Sequence, residues 1–419
     1  MYPVFFKTLD QHQKSEHLTN ASHMSIRYST MANDNQELSK LLAPKAIFFI
    51  TIFTNLCTAT WPTSSISPGR GHYPPVFCKM SHVLLDAKDK VFKYKQDPSS
   101  LNTYDSSCGA AAGIWSVRPD DQSDSMTCDK TYDEGYVFTM YFYFGSNYFH
   151  LHYDMMIPLF SELRNKDKGK KIVLMPSVES VRLQAMYWET QAFQDESKYW
   201  YQMLKVLASS HTLLPLDDRI HSNHGNICFK SINFGTPLYS SRDIGLILPY
   251  IQFIKEELGV RHEQVTKDKV GIIKRTNRRR ILNEGELVKA ISNIASVELV
   301  DFSGLTFKQQ VEKVQEYSVF VGMNGAGLMN GLFLSPGAVT VQLVPFRADV
   351  NFKEFGVLLR NRGPYLEWHN EHAELSQELP NDPYHGQSDT TVKVAEFIEL
   401  IKKALQLVNS DEYSDKTEL

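Results

Sequence analysis

The chain has 419 residues, 42% of them hydrophobic and 22% charged, and a formal net charge of −4. That balance excludes a disordered or fibrous polypeptide, and the slight acidic excess removes any global electrostatic reason to bind nucleic acid. The length suits two domains, each large enough to bury a core of its own.

The first 45 residues are polar, with Met24 and Met31 as alternative starts. They precede AIFFITIFTNLCTA, Ala46 to Ala59. This apolar run is shorter than the roughly 20 residues of a membrane span and has the size of a signal-peptide core. Lys40 and Lys45 precede it, and Cys57-Thr58-Ala59 offers small residues for cleavage. An uncleaved signal anchor and a buried core helix are the other readings. Residues 1–62 are therefore expected to be a disordered N-terminus with a signal peptide or signal anchor. At the other end, in the tail 411–419, Lys416-Thr417-Glu418-Leu419 is a degenerate form of the endoplasmic-reticulum retention signal. Together the two ends point to the lumen of that compartment. Beyond Ala59 stand Cys78, Cys108, Cys128 and Cys228, with no CxxC or zinc spacing. One or two disulfides suit an oxidising lumen, with Cys108–Cys128 the expected local pairing and buried free thiols the alternative.

After a Pro/Gly/Ser-rich linker, Thr63 to Pro75, strand-like and helix-like patterns alternate without repeats. GYVFTMYFYFGSNYFHLHYDMMIPLFSEL passes from an aromatic β-type segment into an amphipathic helix. KKIVLMPS and ICFKSINFG read as strands, the former as a buried parallel one. A segment around Thr236 closes this half, and SRDIGLILPYIQFIKEELGV is a helix joining it to the next. The second half is more regular. VGIIK, VELVDF, SVFVG, AVTVQLVPF and YLEWHN read as strands, separated by the helices NEGELVKAISNI, FKQQVEKVQEY and FKEFGVLLRNRG. Such alternation implies a right-handed parallel sheet, hence a Rossmann-type domain. DTTVKVAEFIELIKKALQLV is a terminal amphipathic helix. The expected layout is an α/β protein of two Rossmann-type domains facing a cleft. Residues 76–244 form the acceptor-side domain and 245–388 the nucleotide-binding domain, followed by a helix over 389–410.

Three clusters carry candidate chemistry. VFVGMNGAGLMNGLFL sets Gly322, Gly325, Gly327 and Gly331 at a strand's carboxyl end, where ligands of doubly wound sheets lie. Glycines there let backbone N–H groups and a helix N-terminus face a phosphate, unless they serve only a tight packing turn. The spacing GxGxxxG, late in the domain, speaks against a nicotinamide or flavin site. KRTNRRRILNEGEL places Arg275, Arg278, Arg279 and Arg280 after another strand, where guanidinium forks suit diphosphate oxygens and a solvated basic loop is the alternative. In NYFHLHYDMMIPLF, His150 and Asp154 are four apart and share a helical face, while His152 points elsewhere. Either of the pair can act as a base, and either can equally be a satisfied core residue. Their spacing also suits a metal, for which no third ligand stands out.

These clusters, in this order, resemble glycosyltransferase family 61. Its pattern has an N-x-x-H helix ahead of an apolar-proline turn, an R…R-x-ILNE segment and a later HGAGL stretch. The matching segments are NYFHLHYDMMIP, RTNRRRILNE and NGAGLMNGLFLSPGAVTVQL, with YLEWHN similar to a further motif. The resemblance runs from about Gly145 to Val408. It implies a GT-B-like, metal-independent enzyme without a resident cofactor. Such an enzyme transfers GlcNAc from UDP-GlcNAc, with inversion, to Ser or Thr of secretory-pathway proteins, EGF-like domains or mannosylated proteins being its acceptors. Transfer from another UDP-sugar, such as UDP-xylose, is the neighbouring alternative.

By the same resemblance Arg275, Arg279, Asn283, Asn324, Gly325, Ala326 and Gly327 would hold the donor, and His150 and Asp154 would line the acceptor side, one of them as base. Glu284 matches the same ILNE motif, where helix capping explains it equally well. Asn324 departs from the pattern, standing where the family motif has histidine; it can donate a hydrogen bond but carries neither charge nor a transferable proton. A pseudo-enzyme that binds a glycan or a protein is therefore the rival reading.

Overall fold

Runs of β-branched and aromatic residues bounded by charge and glycine build two sheets in the computed structural model of the chain. It describes residues 78–94, 115–119, 128–140, 147–178, 198–216, 220, 225–234, 241–261, 268–348, 353–378 and 386–410. All of them belong to one unit, Pro75–Leu419. The expected signal segment, Cys108, the stretch around Thr236 and the KTEL ending lie outside the described residues. Among the described residues no helix is long and apolar enough to cross a membrane.

The first sheet contains β1 (Cys78–Asp86), β2 (Val91–Tyr94), β3 (Ser116–Pro119), β4 (Lys130–Met140), β5 (Ile172–Val178), β6 (Thr212–Leu213) and β7 (Ile227–Phe234). Their order is β3-β2-β1-β7-β4-β5-β6. β4 pairs in parallel with β5 and β7, but β1 runs antiparallel to both β2 and β7. The expected Rossmann-type parallel sheet is thus a mixed one. Its antiparallel part comes from Cys78–Tyr94, upstream of the alternating pattern from which a parallel sheet was read.

Among the described residues two helices cover this sheet. α1 runs through Tyr148–His150, a wide π turn Leu151–Met156, and Ile157–Leu163; α2 is Tyr199–Leu207. Asn147 caps α1, accepting a hydrogen bond from Phe149 N at 3.1 Å.

The second sheet is entirely parallel. It holds β8 (Lys269–Ile273), β9 (Ser296–Val300), β10 (Val319–Met323), β11 (Val339–Val344) and β12 (Tyr365–His369) in the order β12-β11-β10-β8-β9. α3 (Ile247–Glu257) precedes it; α4 (Glu284–Ile291), α5 (Phe307–Val314), a tight 3-10 helix (Ala326–Phe333) and α6 (Lys353–Arg362) make its crossovers. A reciprocal capping box of Thr306 and Gln309 starts α5. Because β9 lies on one side of β8 and β11 on the other side of β10, the chain switches direction between these neighbouring strands. In such sheets the crevice at the carboxyl ends of the two switch strands is where a ligand fits.

Two small strands, β13 (Ser376–Gln377) and β14 (Asp389–Thr390), form an antiparallel ribbon ahead of the terminal helix α7 (Val394–Val408). Asp389 to Thr391, assigned from the sequence to the start of that helix, are therefore strand and connection. α7 buries Phe397, Ile401, Ala404 and Leu405 against the outer face of the parallel sheet. On the inner side one apolar core runs without a break from β4 and α1 through α3 to the 3-10 helix, joining residues as distant as Tyr136, Tyr250 and Phe333. α3 is thus a core helix as well as a connection.

A disulfide joins Cys128 to Cys228, with 5.7 Å between their Cα atoms. The expected Cys108–Cys128 pairing is corrected by it. Parallel pairing of β4 with β7 sets Lys130 opposite Ile227, which brings the adjoining cysteines together across 100 residues of sequence.

Candidate functional site

β8 and β10 end side by side, so the chain leaving each is delivered to the same crevice. From β8 comes the loop Lys274–Arg280, and from β10 the turn Asn324–Gly325 that opens the 3-10 helix. Gly325 settles what the glycine cluster is for at this point. A β-carbon on it would lie 2.7 Å from Arg275 Nη1 and 3.4 Å from Arg279 Cζ, so both guanidinium groups press against bare backbone. Gly322 is different: its β-carbon would meet Ile273 Cδ1 at 2.6 Å, inside the core. Gly331 is crowded by Thr340 in the same way. Gly325 thus leaves bare backbone beside two arginines, while Gly322 and Gly331 serve close packing. Ala326 and Gly327 follow as the first residues of the 3-10 helix and are half-buried.

The four arginines divide. Arg280 is committed to Asp389, its Nε donating to Oδ2 at 2.7 Å and its backbone N to Oδ1 at 2.8 Å. Arg278 donates from Nη1 to the Gln387 side chain. Arg275 is braced by an Nε donation to the Arg278 carbonyl at 2.8 Å. Burial, then the neighbouring Arg278 charge, pull its pKa below the usual arginine value. Arg279 sits in the left-handed backbone region, with φ of 54°, and its Nη1 donates to Asn324 Oδ1 at 3.4 Å. Gathering like charges at one point is unfavourable unless an anion joins them, so this crevice is shaped for a negatively charged group.

Asn324 is fully buried and held by its backbone N donating to Leu343 O at 2.7 Å; its Nδ2 has no partner. Asn283, at the N-cap position of α4, does not use its side chain as a cap. That side chain grips Val392 instead, accepting from Val392 N and donating to Val392 O, each at 2.9 Å. It thus anchors the segment after β14, and the expected donor contact from it has no free amide end to make it. The Glu284 carboxyl, at the start of α4, is raised by burial against the lowering effect of Lys274 and Arg280.

On α1, His150 Nδ1 and Asp154 Oδ2 are 2.6 Å apart across the π turn, both more than a third exposed. Wide turns of this kind are frequent at functional sites. His152 lies in the core, as its position on the other face implies. Its Nδ1 meets the Tyr250 hydroxyl at 2.7 Å, its ring stands edge-on to Tyr148, and burial pushes its pKa down to about 3. The first turn of α1 packs on the 3-10 helix, which links the His150–Asp154 pair to the arginine crevice. Among the described residues no three His, Cys, Asp or Glu side chains gather as a metal site.

Sequence reasoning missed the segment Gln387–Val392, which binds the arginine loop along its length. Its only sequence signal is Asp389, an acid in an otherwise uncharged run whose partner lies 109 positions earlier.

Residues 148–341, from the first turn of α1 into β11, match the family described as Glycosyltransferase 61. The EGF domain-specific O-linked N-acetylglucosamine transferase of Gallus gallus is 28% identical over 208 residues, which is 44% of this chain and 38% of that protein. The Bos taurus protein of the same name is 29% identical over 207 residues, 43% of this chain and 39% of its own length. Protein O-linked-mannose beta-1,4-N-acetylglucosaminyltransferase 2 of Homo sapiens is 29% identical over 164 residues, covering 37% and 28% respectively. The chain thus spans less than two-fifths of the length of these relatives.

Proposed function

We propose that the chain, whose residues 148–341 match the glycosyltransferase 61 family, is an inverting glycosyltransferase that moves GlcNAc from UDP-GlcNAc to Ser or Thr hydroxyls of secretory-pathway proteins, EGF-like domains first among them. The observation that carries this reading is the convergence of Arg275 and Arg279 on Gly325 at the switch point of the parallel sheet. Paired guanidinium groups match the planar oxygens of a diphosphate, and backbone without a side chain lets those oxygens come close.

In the reaction the acceptor hydroxyl oxygen attacks the anomeric carbon as the bond to the β-phosphate oxygen breaks. The hydroxyl proton passes to the His150–Asp154 pair, and the electron pair leaves with UDP. Arg275 and Arg279 stabilise the charge growing on the leaving phosphate, which is where a preorganised cation contributes most. Neither step asks for a metal ion, since the two guanidinium groups supply the positive charge. A GT-B-like layout, with the mixed sheet presenting the acceptor side, and a lumenal endoplasmic-reticulum location complete the reading. Purified protein incubated with UDP-GlcNAc and folded EGF-like domains should release UDP; a folded protein that turns over no UDP-sugar would sink the enzymatic reading. A UDP-xylose preference in the same assay would change the donor while keeping the reaction class.

One observation favours a second reading. Asn324 is buried with an unpartnered amide donor where the family motif carries histidine. In a pseudo-enzyme that binds a glycan or protein, Asn324→His would restore a large turnover; in a competent enzyme it changes turnover little.

A further inference from the structure

The arginine loop owes its shape to a segment more than a hundred residues away. Gln387 O accepts from Arg279 N at 3.2 Å, and the Gln387 side chain accepts from Arg278. Asp389, fully buried, takes both the backbone N and the guanidinium of Arg280. Thr390 N donates to Arg280 O and Leu282 N donates to Thr390 O, each at 2.9 Å. Asn283 and Val392 close the run with their reciprocal pair. Every residue from Arg278 to Asn283 except Ile281 makes a hydrogen bond to this strap, and Ile281 bridges to Thr390.

We infer that the Gln387–Val392 strap, with Asp389 as its positioning residue, decides which arginines serve the ligand. It holds Arg278 and Arg280 as scaffold and turns Arg275 and Arg279 onto Gly325, giving the crevice its preference for a diphosphate over the nucleoside alone. The inference rests on the donor reading above and extends it to residues outside the matched region 148–341.

Three physical points support it. A left-handed backbone at a non-glycine residue such as Arg279 is unfavourable in isolation and persists only when its surroundings hold it. Here the Gln387 carbonyl does so from one side and the Arg280–Asp389 pair from the other. Second, Asp389 neutralises the arginine next in sequence to Arg279, so the loop concentrates two guanidinium groups at the crevice rather than four. Third, the brace on Arg275 is the carbonyl of Arg278, which shares a peptide unit with the Arg279 N–H that Gln387 O holds, so the hold passes from Gln387 along that peptide to Arg275.

The test is calorimetric titration of the full chain with UDP and with uridine. Wild type is expected to bind UDP more tightly than uridine, and failure to bind UDP at all would remove the donor reading and this inference with it. In Asp389→Asn, the UDP affinity should fall about tenfold to a hundredfold, the size of a lost contact to a charged group, while uridine affinity stays within about twofold. An unchanged UDP affinity, or an equal loss for both ligands, overturns the positioning role while leaving the donor reading intact. Should Asp389→Asn not fold, Arg278→Ala decides from an exposed position. As scaffold whose bracing atom for Arg275 is a backbone carbonyl, it should keep UDP affinity within about threefold, whereas a loss like that of Arg275→Ala would refute the division of the arginines.

Discussion

The two sides of the candidate site are built on opposite plans. The His150–Asp154 pair is local: four residues apart on one helix, it is joined by a single contact and open to solvent. The arginine crevice is remote in construction, its loop tied to partners 109 positions away and its guanidinium groups resting on a glycine 50 and 46 positions later in the chain. A local pair can be lost to one substitution with little structural cost, but it is also placed only as well as its helix. A remotely braced pair keeps its geometry without a ligand, which is what stabilisation of a leaving group requires.

The sharpest way to separate the two sides is Asp154→Asn. It should lower turnover about a hundredfold to ten-thousandfold, as loss of a general base does, and leave UDP affinity intact. An equal loss of UDP affinity, measured by titration, would merge the two sides into one. Next in size, Arg275→Ala should cost about a hundredfold to a thousandfold in turnover and weaken UDP as well. Gly325→Val should act in the same direction, because its added carbon displaces Arg275. Steady-state UDP release together with titration checks both.

Cys128→Ser opens a loop of 100 residues that contains none of Arg278, Asn324 and Asp389, the hydrogen-bond partners of the crevice arginines. It should destabilise the fold by about 2–4 kcal/mol, read by calorimetric melting, with UDP affinity unchanged. His152 supplies the smallest effect. Burial holds it neutral in the folded state down to about pH 3, whereas in the unfolded chain it takes a proton near pH 6.5. Its contribution to stability is therefore complete above pH 6.5 and declines as the pH falls towards 3, by about 2 kcal/mol at pH 5. Denaturation midpoints of wild type and His152→Gln should differ in pH dependence in that window by this amount; parallel curves would mean that His152 is not buried neutral.

The same contrast explains what was legible beforehand. The parallel sheet could be read because each of its strands is a short apolar run followed by a periodic helix. The sequence pattern does not distinguish the mixed sheet from a parallel one, because strand direction depends on pairing, and β1 pairs with β7 from about 150 residues away. The disulfide escaped for the same reason: locality favoured Cys108, while the β4–β7 pairing delivered Cys228. Of the crevice residues, Arg275, Arg279 and Gly325 could be picked from their place after strands. Asn283 could not be told from a helix cap, since its real partner is the backbone of Val392.

By itself the sequence determined the α/β class, the strand ends that carry arginine and glycine, and the helical His150–Asp154 spacing. All of these follow from patterns shorter than about twenty residues, set by periodicity and backbone sterics. Tertiary structure alone decided which arginines face the crevice, which glycines only pack, and what holds the loop in place. Those choices come from contacts between segments that share a neighbourhood only after the β8 and β10 ends and the Gln387–Val392 strap have come together.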